Sequence, residues 1–200
     1  MEKKFVVGVD VGGQTSKLGI VNKDGNVVAQ SVIRTDQTAV AEEFLSTLAK
    51  AIKDLLAGSK LSLEDINGVG IGAPNGNYYS GCIDDAPNVA WANGVKVPVA
   101  EILSGKLDGV KVTLTNDANA AALVEMQYGI AKGIKNFIMI TLGTGVGSGI
   151  VIDGKLLYGA DGFAGELGHT CVDNSPNART CGCGLKGCLE AYCSAIGAAK

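Results

Sequence analysis

"FVVGVDVGGQTSKLGIVNKDGNVV" (residues 5–28) starts as an unbroken apolar run, turns on two glycines and returns as a second apolar run. The run over 5–12 has the pattern of a buried strand. Segments 16–22 and 26–33 read as two more strands, joined through Asn22, Lys23, Asp24 and Gly25, a hairpin signal. The same layout returns in "FIMITLGTGVGSGIVIDGKLL" (137–157): apolar strand, turn rich in Gly and Thr, strand carrying Gly-Ile-Val, Asp-Gly turn, third strand. The turns of this second copy are tighter. Such a repeat predicts two related lobes, each presenting a glycine-rich hairpin to the other. A boundary near residue 116 is expected, with an N-terminal α/β lobe over 1–116 and the start of a second lobe over 117–200.

Between the copies, Val40, Phe44, Leu45, Leu48, Ile52, Leu55 and Leu56 form one helical stripe across 38–57, ended by Gly58. "INGVGIGAP" (66–74) reads as a buried strand stopping at Pro74, and "VKVTLTND" (110–117) as a strand ending in polar residues. "ANAAALVEMQYG" (118–129) is an alanine-rich helix closed by Gly129. Segments 136–143, 147–153 and 154–159 are strand candidates. "EAYCSAIGAAK" (190–200) reads as one helix with no C-terminal stop, the expected mark of a chain cut from something longer.

The 200 residues make one large domain or two small ones, and 46% apolar residues are enough for a substantial core. A net charge of −3 argues against a nucleic-acid surface. The apolar runs are too short and broken to span a bilayer. "MEKKFVVGVDVGG" has no signal-peptide core or cleavage site, so a cytoplasmic protein is expected. In that compartment six cysteines point to free thiols or metal ligands rather than disulfides. Glycine is abundant, 29 residues, and clusters in five short motifs, which suggests loops wrapped around something small.

Asp10 ends the first strand, Gly12 and Gly13 form its turn, and Thr15 and Lys17 start the return. A carboxylate at a strand end beside bare amides can hold hydrated Mg²⁺ while the amides face phosphate oxygens. Gly143, Thr144, Gly145 and Gly147 offer the same in the second copy. Either motif alone fits a tight turn that needs glycine; paired in repeated lobes they point to phosphate. Neither is a P-loop, and a dinucleotide fingerprint does not fit. Asn116-Asp117 stands at a strand-to-helix junction, where Asp is a favoured cap. It is also where a general base can stand, and phosphoryl transfer needs one group to accept the hydroxyl proton. Glu166 and His169 lie three residues apart and can face one pocket; Glu190 follows the cysteine cluster, and Asn88 ends a proline loop. Amides and carboxylates at loop ends suit a polyol, whose hydroxyls both donate and accept. The glutamates are otherwise solvated surface charges.

In order, Asp10-x-Gly-Gly, Gly72-Ala-Pro, Ala-Pro-Asn88, Asn116-Asp117-Ala-Asn119-Ala-Ala, Leu142-Gly-Thr-Gly-Val-Gly, Glu166-Leu-Gly-His169 and Cys181-Gly-Cys183-Gly-x-x-Gly-Cys188-x-Glu190 resemble the ROK family. The likeness runs from residue 5 to about 197. That family holds bacterial sugar kinases, transcriptional repressors and the kinase half of a bifunctional N-acetylmannosamine enzyme. The resemblance implies an actin-like, hexokinase-like (ribonuclease H-like) ATPase fold, two lobes around a cleft, with the C-terminal part absent. It implies an ATP-dependent hexose kinase, glucokinase-like, with glucose the foremost substrate and mannose, fructose, allose and N-acetylated hexosamines as alternatives. Asp117 would be the base; Asn88, Asn116, Glu166, His169 and Glu190 would hold the sugar; Asp10, Gly12, Gly13 and Thr144 would serve ATP and Mg²⁺. The family is usually dimeric or tetrameric, which implies a homo-oligomer at full length. Two departures stand out: Gln14 occupies the usual Thr position, with Thr15 next to it, and Asn75 follows Gly72-Ala-Pro where the family has Gly. A non-catalytic sugar sensor is the rival. Repressors of the family carry a helix-turn-helix before the first strand, and here that strand is expected at residue 5.

His169, Cys181, Cys183 and Cys188 supply one imidazole and three thiolates, the donor set of a closed, structural zinc. Such a metal would hold the loop that presents Glu190 and fix His169 by one ring nitrogen, leaving the other for a sugar hydroxyl. The plain alternative is buried free thiols with a satisfied core histidine. Cys82, Cys171 and Cys193 fall outside the pattern and read as ordinary buried thiols. A zinc-ribbon interaction module would need paired C-x-x-C knuckles and a basic surface, and the sequence has neither.

Overall fold

The computed structural model describes residues 4–199. Met1–Lys3, part of the stretch examined for a leader, and Lys200, the end of the expected terminal helix, lie outside the described residues. The chain divides into two compact units, Met1–Asp117 and Ala118–Lys200.

The first unit is built on a five-stranded sheet. β1 (Phe5–Val11), β2 (Thr15–Asn22) and β3 (Val27–Arg34) form an antiparallel meander. β4 (Ile66–Gly72) joins β1 in parallel, and β8 (Val112–Thr115) joins β4 in parallel, giving the order β3-β2-β1-β4-β8. Each parallel pairing needs a crossover. The first passes through α1 (Ala41–Gly58), whose stripe buries Phe44, Leu45, Leu48, Ile52 and Leu56 in the core with Val7, Val9, Ile20 and Ile71. Phe44 stacks on Trp91 at 4.7 Å between ring centroids.

Both boundaries of α1 differ from the sequence reading. Thr38 stays outside α1 because its Oγ1 accepts the Val40 N–H at 3.0 Å. Gly58 is the last helical residue rather than the stop; the chain leaves through Ser59, whose hydroxyl donates to the Leu55 carbonyl at 2.9 Å, and Lys60, at φ 59°. A small sheet of β5 (Gly76–Asn77), β6 (Cys82–Asp84) and β7 (Lys96–Val97), followed by α2 (Val99–Lys106), was not foreseen. Its strands are too short for a period-two signal, and α2 buries only Val99 and Leu103.

The second unit opens with α3 (Asp117–Gln127, whose first residue belongs to the first unit). A second antiparallel meander follows, of β9 (Phe137–Leu142), β10 (Val146–Ile152) and the short β11 (Lys155–Leu156). The repeat in sequence is therefore a repeat of strand order. The β9 run is apolar throughout, yet Ile138, Ile140 and Leu142 are 55%, 52% and 67% exposed, so continuous apolarity did not mean burial on both faces. The terminal helix is two: α4 (Glu190–Cys193) and α5 (Ala195–Ala198). Ser194 breaks it because its backbone is extended and its hydroxyl caps α5, accepting the Gly197 N–H at 3.0 Å. Among the described residues no helix is long and apolar enough to cross a membrane.

Candidate functional site

In the first unit the candidates gather at one end of the sheet. Asp10 is paired with Gly72 across β1 and β4, and Gly72 with Thr115 across β4 and β8. Strand spacing puts the Asp10 and Thr115 backbones about 10 Å apart. Asn116 and Asp117 follow at once, Asp117 as the exposed first residue of α3. The carboxyl ends of parallel strands are where open α/β sheets bind ligands. Lys17 is the partner of Asp10 on β2. The Gly12 N–H closes the hairpin on the Thr15 carbonyl at 3.1 Å, and the Gln14 carbonyl accepts the Thr35 N–H at 2.9 Å, which leaves Thr15 exposed on the return strand.

Asn88 belongs to this group through the backbone. A Cβ on Gly13 would stand 2.4 Å from the Asn88 carbonyl oxygen, so only glycine lets the two loops meet. The turn bearing Asn88 is anchored from below by Val89, Trp91 and Ala92, all buried, and closed by Val89 N–H to the Ala86 carbonyl at 2.9 Å. Asn75 sits at φ 52°, a conformation Asn tolerates better than most residues, and its side-chain amide donates to the Asp85 carbonyl at 2.7 Å. That is how the Gly-Ala-Pro loop accommodates Asn.

In the second unit the start of β10 collects the other candidates. The Val146 N–H donates to Glu190 Oε2 at 2.9 Å, and the Cys181 thiol donates to Glu190 Oε1 at 3.4 Å. A Cβ on Gly145 would come within 2.6 Å of Glu190 Oε2, and one on Gly168, between Glu166 and His169, within 2.2 Å of the Val146 carbonyl. The Gly143 carbonyl accepts the Ala195 N–H at 2.8 Å. Gly143, Thr144 and Gly145 are thus the turn on which the Glu190 segment rests, and glycine at 145 answers to a carboxylate of the protein itself. Gly145→Ala is expected to push the Glu190 carboxylate aside and cost about 1–3 kcal/mol through loss of its bond from the Val146 N–H. A urea melt equal to that of the unmodified chain would show that Glu190 is not held there.

His169, Cys181, Cys183 and Cys188 converge, their ligand atoms all within 4.8 Å of one another. His169 Nδ1 lies 3.8 Å from Cys181 Sγ, and Cys183 Sγ lies 3.7 Å from Cys188 Sγ. A tetrahedron with Zn–S bonds of about 2.3 Å has edges of about 3.8 Å. The donor set and spacing fit zinc, and the sulfur separation is too long for a disulfide. Burial pushes the Cys181 thiol up to about 12 and raises Cys188, whereas the Leu185 backbone amide holds Cys183 down. Buried thiols raised in this way become thiolates when a cation pairs with them, and the four donors could hold one.

The loop has a further clamp that the sequence reading missed. Tyr192 Oη donates to Asp173 Oδ2 at 2.5 Å and accepts the Arg179 N–H at 3.0 Å, while the Arg179 guanidinium lies 4.9 Å over the Tyr192 ring and donates to the Gly197 carbonyl at 2.7 Å. The Tyr192 hydroxyl, ahead of the Ser175 amide, holds the Asp173 carboxyl below the usual range. No spacing rule joins Asp173, Arg179 and Tyr192; a tyrosine two residues after Glu190 was the one available hint.

A family model described as the ROK family matches residues 6–200. The glucokinase of Halalkalibacterium halodurans is 39% identical over 201 residues, covering 100% of this chain and 59% of that enzyme. A xylose repressor of Caldicellulosiruptor bescii is 34% identical over 94% of this chain and 46% of its own length. Among solved structures, a ROK family glucokinase from Streptomyces griseus in complex with glucose and AMPPNP aligns at TM-score 0.76 and 35% identity, over 96% of this chain and 58% of that one. This chain therefore spans less than two thirds of the length of each of these three relatives.

Proposed function

The chain belongs to the ROK family, and from that membership we propose that it works as an ATP-dependent sugar kinase, moving the γ-phosphate of ATP to a hexose hydroxyl, glucose foremost. Its fold is the α/β actin-like, hexokinase-like fold of the ROK sugar kinases. The observation that carries the proposal is the alignment of Asp10, Gly72 and Thr115 across the sheet, with Asn116-Asp117 directly after. It gathers a carboxylate for a hydrated cation, a glycine hairpin for phosphate and an exposed Asp at one sheet end.

In this reading Asp117 accepts the proton of the sugar hydroxyl as its oxygen attacks phosphorus. Asn88, Asn116, Glu166, Glu190 and the second nitrogen of His169 hold the remaining hydroxyls. Amides of the 12–15 and 143–145 turns, with Lys17 and Thr144, meet the phosphates. Mg²⁺, when bound near Asp10, neutralises charge on the transferred group. His169, Cys181, Cys183 and Cys188 hold a structural zinc that keeps Glu190 in place. Likeness to an enzyme bound to glucose and AMPPNP supports both substrates. A sugar-sensing regulator is the second reading, favoured by the xylose repressor's similarity; Asp117 and the paired hairpins weigh toward the kinase.

A thermal-shift panel of glucose, mannose, fructose, N-acetylglucosamine and N-acetylmannosamine tests the pocket. A sugar at 100 times its Kd stabilises by about 2.7 kcal/mol, a rise of roughly 5–11 °C for a chain of this size. Glucose is expected to give the largest shift. A cooperative melt that no sugar moves counts against sugar binding by this chain.

A further inference from the structure

Cys171 and Cys188 oppose each other as an antiparallel pair. The flanking bonds run from Val172 N–H to the Gly187 carbonyl at 2.7 Å and from Leu189 N–H to the Thr170 carbonyl at 2.9 Å. Both lie outside the pair, so it is of the non-hydrogen-bonded kind, with Cα atoms about 4.5 Å apart and side chains on one face. That separation lies inside the window a disulfide can span. The two sulfurs differ in circumstance. Cys188 is buried within the four-donor cluster; Cys171 is exposed and outside it, its thiol making a long bond to the Asp173 carbonyl at 3.5 Å. The Cys171 sulfur also lies beside the Cys188 segment: a Cβ on Gly187, at φ 79°, would be 3.3 Å from it.

We propose that Cys171 is a peroxide-reactive thiol that couples to Cys188, so that oxidation dismantles the metal cluster. Hydrogen peroxide passes one oxygen to the Cys171 sulfur; the O–O bond breaks, the departing hydroxide takes up the thiol proton as water, and Cys171 is left as a sulfenic acid. A lone pair on Cys188 Sγ then attacks the Cys171 sulfur, forming the S–S bond while the S–O bond breaks and the hydroxide leaves as water. Two thiols and one peroxide thus give one disulfide and two waters. Cys188 no longer offers a thiolate, the cluster keeps three donors, and the Cys181 contact to Glu190 loses its support. Loss of metal as the consequence rests on the structural-zinc reading above; the cross-link does not.

The test treats the purified chain with hydrogen peroxide and follows metal release with a colorimetric zinc chelator, with peptide mass mapping of the cysteines. The expected result is a 171–188 disulfide, zinc release, and reversal on adding dithiothreitol and zinc. Cys171→Ser, at an exposed position outside the cluster, is expected to keep its zinc and to release it on the order of tenfold more slowly under peroxide. Equal release from Cys171→Ser, or a 183–188 disulfide in place of 171–188, overturns the proposal. Protein isolated without zinc that still forms the 171–188 bond upholds the thiol pair and overturns the zinc reading.

Discussion

Asp117→Asn is expected to lower kcat for the hexose by roughly 10²–10⁴-fold, the span of a lost general base, while the sugar's affinity stays nearly unchanged. Asp117 is exposed and is the first residue of α3, so its side chain supports no core. Asn has almost the same shape, and removing the charge from the first turn of α3 costs only about 0.3–1 kcal/mol, which keeps that turn intact. What Asn cannot do is take the proton. A coupled assay for kcat, run beside glucose titration by calorimetry, separates the roles. Loss of binding in step with turnover would make Asp117 a structural residue of the junction, and unchanged kcat would move the base elsewhere.

Cys183→Ser is expected to empty the proposed zinc site and lower Tm by about 5–15 °C, the loss of linkage from a site held at 100–1,000 times its Kd. The position discriminates because Cys183 is exposed, unlike Cys181 and Cys188. If the cysteines were only packing thiols, an exposed Cys183 could become Ser at almost no cost. If they hold zinc, removing one donor of four opens the shell and frees the loop that carries Glu190. Metal content by plasma emission and a melting curve decide it. A mutant with full zinc and an unchanged Tm sinks the structural zinc.

Much of the site was legible because its chemistry uses residue types that are rare elsewhere in the chain. One histidine and a C-x-C-x₄-C run have few uses other than a metal, and the four donors do converge. The two Gly-rich hairpins were legible as a repeat. Their glycines were read for ligand approach, whereas Gly13 and Gly145 also answer to the protein's own Asn88 carbonyl and Glu190 carboxylate. Cys171 was read as an ordinary buried thiol; it is exposed and cross-strand from Cys188. Sequence spacing could not reveal that pairing, because 16 residues of irregular loop separate the two cysteines.

The order of residues alone determined the doubled meander, the helical stripe of α1 and the identity of the cluster, since each depends on local periodicity or on rare side chains close in sequence. Tertiary structure alone decided which neighbours those elements acquired. Asp10 met Gly72 and Thr115 only through parallel pairing of strands some 60 and 100 residues later, set by crossovers that carry no period of their own. Exposure of Ile138, Ile140 and Leu142 in an apolar strand, the break at Ser194 and the Asp173–Tyr192–Arg179 clamp have the same cause. Burial, capping and hydrogen bonding are settled by what packs alongside, and that is a property of the folded chain.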